Sequence, residues 1–191
     1  YSMSAAHRDG YGNGKCLELA EHGYRFLTES MWDEKHDGFY WTTDRNGNVA
    51  IDKKILYGHS FAIYALSTYA TVTGDSAPLE YAERVFELIQ THAADTYFGG
   101  YFEMFDRDWT LAGPGSAGGD RKTLDVHMHL MEAYTELLAA TGKDTHRRKL
   151  LEDIELLLNH IVHPEYKTGI PQFRRDWTVA PQIKFDIVWG W

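Results

Sequence analysis

The sequence predicts an all-α fold: an (α/α)6 toroid of inner and outer helix pairs joined by short β-hairpins, with about half of the ring present in this chain. Three observations predict it. Segments recur at offsets of 62 and 68 residues, the recurring helical segments are alternately apolar all round and apolar on one side, and a glycine-plus-aromatic turn separates successive pairs.

The repeats are legible residue by residue. Leu17-Glu18-Leu19-Ala20-Glu21 with Tyr24 and Leu27 returns as Leu79-Glu80-Tyr81-Ala82-Glu83 with Phe86 and Ile89, and a weaker third copy starts at Leu151-Glu152. Lys54, Leu56, His59, Ala65, Thr73 and Gly74 match Lys122, Leu124, His127, Ala133, Thr141 and Gly142 at one offset of 68. The turn piece runs from Gly38-Phe39-Tyr40-Trp41 to Asp44-Arg45, from Gly100-Tyr101-Phe102 to Asp106-Arg107-Asp108-Trp109-Thr110, and from Gly169-Ile170 to Arg174-Arg175-Asp176-Trp177-Thr178. Each reads as a hairpin, with Trp41, Trp109 and Trp177 as matching residues that fasten helix ends and Asp106 and Asp108 as turn residues.

Apolar distribution sorts the helices into layers. Residues ~78–92 carry Leu79, Ala82, Val85, Phe86 and Ile89 on one stripe, and residues ~146–162 carry Leu150, Leu151, Ile154, Leu157, Leu158 and Ile161, which is the pattern of outer helices with one wet side. Residues ~56–73 and ~123–140 are apolar nearly all round and read as inner helices. Gly74 and Gly142 suit left-handed helix ends, and Pro78 suits a first helical turn. Six repeats of this size need about 370–410 residues, so the 191 residues read as a single partial toroid domain, cut at both ends. An open three-repeat solenoid is the competing architecture.

Composition narrows the partners. With 19 Lys+Arg against 28 Asp+Glu the net charge is −9, which argues against nucleic acid or an anionic membrane and for a small neutral or cationic ligand. No apolar run approaches the ~20 residues of a membrane span. The single cysteine, Cys16, excludes an internal disulfide and a cysteine zinc site, so a cytoplasmic location is expected. Gly113 to Gly119 is glycine-rich without the Gly-Lys-Ser/Thr ending of a phosphate loop and reads as a flexible or lid-like linker. No motif calls for a cofactor.

The informative anomaly is a polar stripe on an inner helix. Asp125, His129 and Glu132 stand at i, i+4 and i+7 with Glu136 a turn further on, so they share one face. The equivalent positions of the first inner helix are Tyr57, Phe61 and Tyr64. Ionisable groups on a buried helix call for partners, and this mixture of aromatics, imidazole and carboxylates makes up a small polar-ligand pocket. The plainer account makes Asp125 a helix cap, His129 a satisfied core histidine and Glu132 a partner of the next repeat. A metal site is disfavoured, since His127 and His129 point in opposite directions and no His-Glu-x-x-His spacing occurs. His59 and His127 share a repeat position and read as structural.

Lys122-Thr123-Leu124-Asp125-Val126-His127-Met128-His129-Leu130-Met131-Glu132-Ala133-Tyr134-Thr135 and Tyr57-Gly58-His59-Ser60-Phe61-Ala62-Ile63-Tyr64-Ala65-Leu66 resemble segments of the N-acylglucosamine 2-epimerase and cellobiose 2-epimerase family. The resemblance implies a toroid that inverts C2 of a reducing-end sugar, or interconverts aldose and ketose, by histidine-mediated proton transfer through an enediolate. It implies a catalytic role for His129 in polarising the reacting oxygens and sugar contacts from Tyr57 and Asp125, while the stripe itself offers Phe61 and Glu132 as further substrate-binding candidates. Asp125 stands where many members carry Asn, which exchanges an amide for an acceptor-only carboxylate. By the same resemblance, the family's two proton-transfer histidines would follow Trp191, so the chain alone is expected to be inactive. A half-ring with exposed inner helices is expected to form homo-oligomers. A glycoside hydrolase or lyase on the same toroid, and a non-catalytic carbohydrate-binding scaffold, are the alternatives.

Overall fold

The computed structural model describes residues 1–114 and 119–180. Six α-helices alternate between two layers: α1 (Ser2–Arg8), α3 (Leu56–Thr73) and α5 (Leu124–Thr141) inside, and α2 (Lys15–Phe26), α4 (Ala77–Leu88) and α6 (Asp144–Leu156) outside. α3 packs on both its inner neighbours, α1 and α5, while α4 and α6 lie against α3 and α5 respectively. The expected boundaries of both long inner helices hold, because Gly74 (φ 73°) and Gly142 (φ 64°) end them in the left-handed conformation. Pro78 lies in the first turn of α4, where its missing N–H costs nothing.

All three outer helices finish in a five-residue π turn, Leu27–Met31, Ile89–Ala93 and Leu157–Ile161, after which the chain leaves extended. These turns fix the register of the repeats. The third outer helix is aligned with the second at an offset of 68, so Leu151 corresponds to Glu83 rather than to Leu79, and it is exposed.

The hairpins differ from expectation in their pairing. The first forms on itself, β1 (Thr42–Thr43) against β2 (Val49–Ile51). In the other two, a single bridge closes the turn, Phe105 to Leu111 and Phe173 to Val179. Their strands pair instead with the segments that lead into the inner helices: β3 (Lys54–Ile55) with β4 (Met104–Phe105), and β5 (Arg121–Thr123) with β6 (Gln172–Arg174). Each such ladder ties the hairpin of one repeat to the inner helix before it. The core runs through the layers, with Leu56, Ile63, Leu66, Val85, Ile89, Val126, Leu130, Tyr134 and Leu137 at most 1% exposed. Each of these large side chains contributes about 1.5–3 kcal/mol on burial.

Two ion triads, each centred on a buried aspartate–lysine pair, brace successive repeats. The Asp33 carboxylate accepts from Lys54 Nζ at 3.0 Å and from Arg107 at 2.8 and 2.9 Å, and Asp95 is held in the same way by Lys122 and Arg175. Burial alone would raise both carboxyl groups, but these cations hold them well below the usual carboxylate range.

The tryptophans are not three equivalents. Trp109 (φ 66°) and Trp177 (φ 65°) occupy one repeat position, donate from Nε1 to His36 O and Phe98 O, and stack on His92 and His160. The matching residue of the first hairpin is Gly47 (φ 85°), as the turn bonds Gly47 N to Asp44 O and Trp109 N to Asp106 O show. Trp41 lies elsewhere, against Gly58 and Tyr57 of α3. Asp108 serves its turn, accepting from Thr110 N at 3.1 Å, and Asp106 pairs with Lys53. Of the glycine-rich linker, residues 115–118 lie outside the described residues.

Candidate functional site

Helical spacing on α3 and α5 builds the site. Tyr57 and Phe61 stand one turn apart at the start of α3, and Asp125 and His129 one turn apart at the start of α5, so the adjacent helices present four side chains at matching heights. The His129 ring meets Tyr57 edge-on at 5.0 Å and Phe61 at 4.6 Å. Tyr57 and Phe61 lie 5.1 Å apart, and Trp41 extends the aromatic wall with its ring 6.4 Å from Tyr57. Phe61 remains 38% exposed, which leaves an apolar face free to meet a ligand.

His129 Nδ1 lies 2.9 Å from Glu132 Oε2. A carboxylate only accepts, so with neutral imidazole the hydrogen sits on Nδ1 and Nε2 is the acceptor. One turn further along, Glu136 accepts from Thr68 Oγ1 of α3 at 3.2 Å, and the Tyr64 ring stacks on Tyr1 at 4.0 Å. The stripe thus meets α3 at two heights, through His129 at Tyr57 and Phe61 and through Glu136 at Thr68, while Tyr64 faces Tyr1 instead. Asp125 is not the helix cap: Thr123 is, its hydroxyl accepting from Val126 N at 3.3 Å.

His59 and His127 do occupy structural positions. Each is fully buried, accepts at Nε2 the main-chain N–H of Phe39 (3.0 Å) or Tyr101 (3.1 Å), and faces with Nδ1 the carbonyl of Ile55 or Thr123 at 2.8 Å. Burial pushes both pKa values down to about 4, with Lys54 and Lys122 adding to the effect against their backbone hydrogen bonds. Among the described residues, no group of three or more His, Cys, Asp or Glu side chains is placed to hold a metal ion.

No sequence pattern marks Glu103. It lies in the otherwise apolar run Tyr101-Phe102-Glu103-Met104-Phe105, and its Oε2 accepts from Thr123 Oγ1 at 3.0 Å at the head of α5. Burial and the nearby Asp125 charge raise its pKa against the lowering effect of the Thr123 hydroxyl.

A family model described as N-acylglucosamine 2-epimerase (GlcNAc 2-epimerase) matches residues 1–190. The chain belongs to the N-acylglucosamine 2-epimerase family. It is similar to the cellobiose 2-epimerase of Ruminococcus albus, 39% identical over 137 residues, covering 70% of this chain and 35% of that protein. The cellobiose 2-epimerase of Bacteroides fragilis is 31% identical over 98% of this chain and 48% of its own length, and the D-mannose isomerase of Thermobifida fusca is 26% identical over 95% and 42%. The structure of cellobiose 2-epimerase from Spirochaeta thermophila superposes with a TM-score of 0.86 at 32% identity, covering 94% of this chain and 45% of that one. A family 76 glycoside hydrolase of Bacteroides thetaiotaomicron shares the fold alone, with a TM-score of 0.70 at 14% identity. The chain thus spans between a third and a half of the relatives it matches. The family expected from the Tyr57–Leu66 and Lys122–Thr135 segments is borne out, and so is the layered helical ring across the described residues.

Proposed function

We propose that this chain carries the sugar-binding face of a 2-epimerase or aldose-ketose isomerase acting at C2 of a reducing-end sugar, of the mannose/glucose, N-acylglucosamine or cellobiose type. The observation that carries the reading is the contact of His129 with Tyr57, Phe61 and Glu132 on adjoining inner helices. The aromatic rings offer apolar faces to the C–H side of a sugar, and Asp125 and Glu132 offer acceptors to its hydroxyls. In the reaction the ring opens, a base takes the C2 proton to give an enediolate, and a proton returns to the opposite face of C2 in epimerisation or to C1 in isomerisation. His129, oriented by Glu132, binds the reacting oxygens, where charge develops. With His129 assigned to the reacting oxygens, no second histidine among the described residues of this face is left to carry the carbon-bound proton in either reaction. The chain by itself therefore binds sugar without turning it over. A glycosidase reading is less favoured, because the sequence likeness of 31–39% is to cellobiose 2-epimerases, whereas the family 76 glycoside hydrolase shares the fold alone at 14% identity. We also take the chain to act in the cytoplasm and to self-associate.

Saturation-transfer NMR of the 191-residue chain with cellobiose, mannose and N-acetylglucosamine, in heavy water, tests the reading. Binding of at least one sugar, lost in His129→Ala, with no C2 hydrogen exchange, is the expected result. Absence of binding by all three overturns the site, steady C2 exchange overturns the inactivity of the chain, and cleavage of cellobiose favours the hydrolase.

A further inference from the structure

Three hydrogen bonds of one kind, Tyr40 N to Met31 O, Phe102 N to Ala93 O and Ile170 N to Ile161 O, put Trp41, Glu103 and Pro171 at one position of the repeat. The main chain there does scaffold work in the second and third repeats: Leu56 N donates to Glu103 O at 2.9 Å and Leu124 N to Pro171 O at 3.0 Å, so each carbonyl holds the first residue of an inner helix. Any residue supplies a carbonyl, and proline suffices in the third repeat. The scaffold therefore does not explain a partly buried carboxyl group at 103. What distinguishes this position is its place between the heads of α3 and α5, the two helices that carry Tyr57, Phe61, Asp125, His129 and Glu132.

We propose that Glu103 is a positioning residue of the sugar face: its carbonyl fixes the head of α3 and its carboxyl group the head of α5, so one residue sets the spacing between Tyr57 and Asp125. The second half of the clamp is a chain of donors. Val126 N–H donates to Thr123 Oγ1 at 3.3 Å, and the Thr123 hydroxyl donates to Glu103 Oε2 at 3.0 Å. Thr123 can cap the helix and serve Glu103 together because a hydroxyl both accepts and donates. The Asp125 charge acts on Glu103 as well, so the carboxyl group senses the residue it positions. Small displacements matter in such a site, where an error of about 1 Å can cost a hundredfold.

The inference rests on the sugar-site reading, and two readouts separate the two. Cellobiose, mannose and N-acetylglucosamine dissociation constants are measured for the parent chain, Glu103→Ala and Glu103→Gln, beside amide hydrogen exchange at Val126 and Leu56. Glu103→Ala is expected to weaken sugar binding about tenfold, a change of about 1.4 kcal/mol, and to speed exchange at Val126 but not at Leu56, whose acceptor is main chain. Glu103→Gln keeps an acceptor for Thr123 and is expected to restore affinity to within about threefold. Parent-like affinity in Glu103→Ala overturns the proposal, as does a loss in Glu103→Gln equal to that in Glu103→Ala, which would assign the carboxyl group to proton or charge chemistry. If the parent binds no sugar, the sugar-site reading fails, and unchanged Val126 exchange in Glu103→Ala then separately overturns the clamp.

Discussion

His129 Nδ1 and Glu132 Oε2, 2.9 Å apart within one turn of α5, form a contact in which the carboxylate dictates which imidazole nitrogen faces outward. The Glu132 side chain is 39% exposed, so the pair contributes little to stability, less than about 0.5 kcal/mol. Glu132→Gln is expected to leave the urea midpoint nearly unchanged while weakening sugar binding about tenfold and shifting the His129 tautomer seen by long-range 1H–15N correlation. A tautomer identical to the parent's would show that Glu132 does not orient the ring.

His59 and His127 predict a pH dependence. Both have a folded pKa of about 4 against 6.5 for the free imidazole, so the unfolded chain binds more protons between these values. Stability is therefore fully present above pH 6.5 and is lost as pH falls toward 4, by about 3 kcal/mol for each histidine. Asp33 and Asp95 have lowered pKa values, and their contribution is present above 3.8 and fades at more acid pH. Urea midpoints between pH 7 and pH 4 should fall steadily, and His127→Gln should flatten the curve while lowering it at pH 7. A flat parent curve would contradict the buried neutral tautomers.

Glycines in one conformation should differ in cost. A Cβ on Gly100 (φ 76°) would lie 2.5 Å from the Trp177 ring and 2.8 Å from His127 Nε2, whereas one on Gly142 (φ 64°) meets nothing within 4 Å. Gly142→Ala is expected to cost about 1 kcal/mol, from backbone strain alone. Gly100→Ala adds a steric clash of about 1–3 kcal/mol. Equal losses in thermal denaturation would show that the Trp177 and His127 contact yields freely.

Removing Lys54 leaves Asp33 buried with one cation fewer. Lys54→Ala is expected to cost about 3–5 kcal/mol, and Arg107→Ala less, because the Arg107 side chain is 39% exposed and water can replace it. Chemical denaturation of the two variants checks the order, which a larger loss in Arg107→Ala would reverse.

The proposed self-association would use the apolar groove of about 220 Å³ between α5 and the end of the third outer helix, lined by Leu124, Met131, Leu157 and Ile161, together with Leu158 at 65% exposure. Sedimentation velocity of the 191-residue chain is expected to show a concentration-dependent species larger than 21.9 kDa. A stable monomer across the range would contradict it.

The layers were legible because they rest on local signals. Apolar patterning and the glycines at 74 and 142 act within a few residues, and α3 and α5 came out with their ends in place. That Tyr57 and Phe61 share one helix face, and His129 and Glu132 another, was legible for the same reason, since helical spacing decides which residues lie together. The strand pairing was not, because β3 and β5 are two and three residues long and find partners about 50 residues away, across an intervening helix pair. Trp41 misled because the first and second hairpins are related by 62 residues, and a chance tryptophan match at 68 hid Gly47 as the true counterpart. Glu103 carried no pattern of its own: its meaning depends on Thr123, which the fold alone brings within reach.

The two triads interlock along the chain. One spans Asp33 to Arg107 and the other Asp95 to Arg175, and the spans overlap between residues 95 and 107. No cut between residues 33 and 175 leaves both triads whole. A helix pair exchanged with a relative's is therefore expected to cost stability wherever the swap leaves a buried aspartate without its lysine or arginine, so this stretch behaves as one linked unit rather than a string of exchangeable modules.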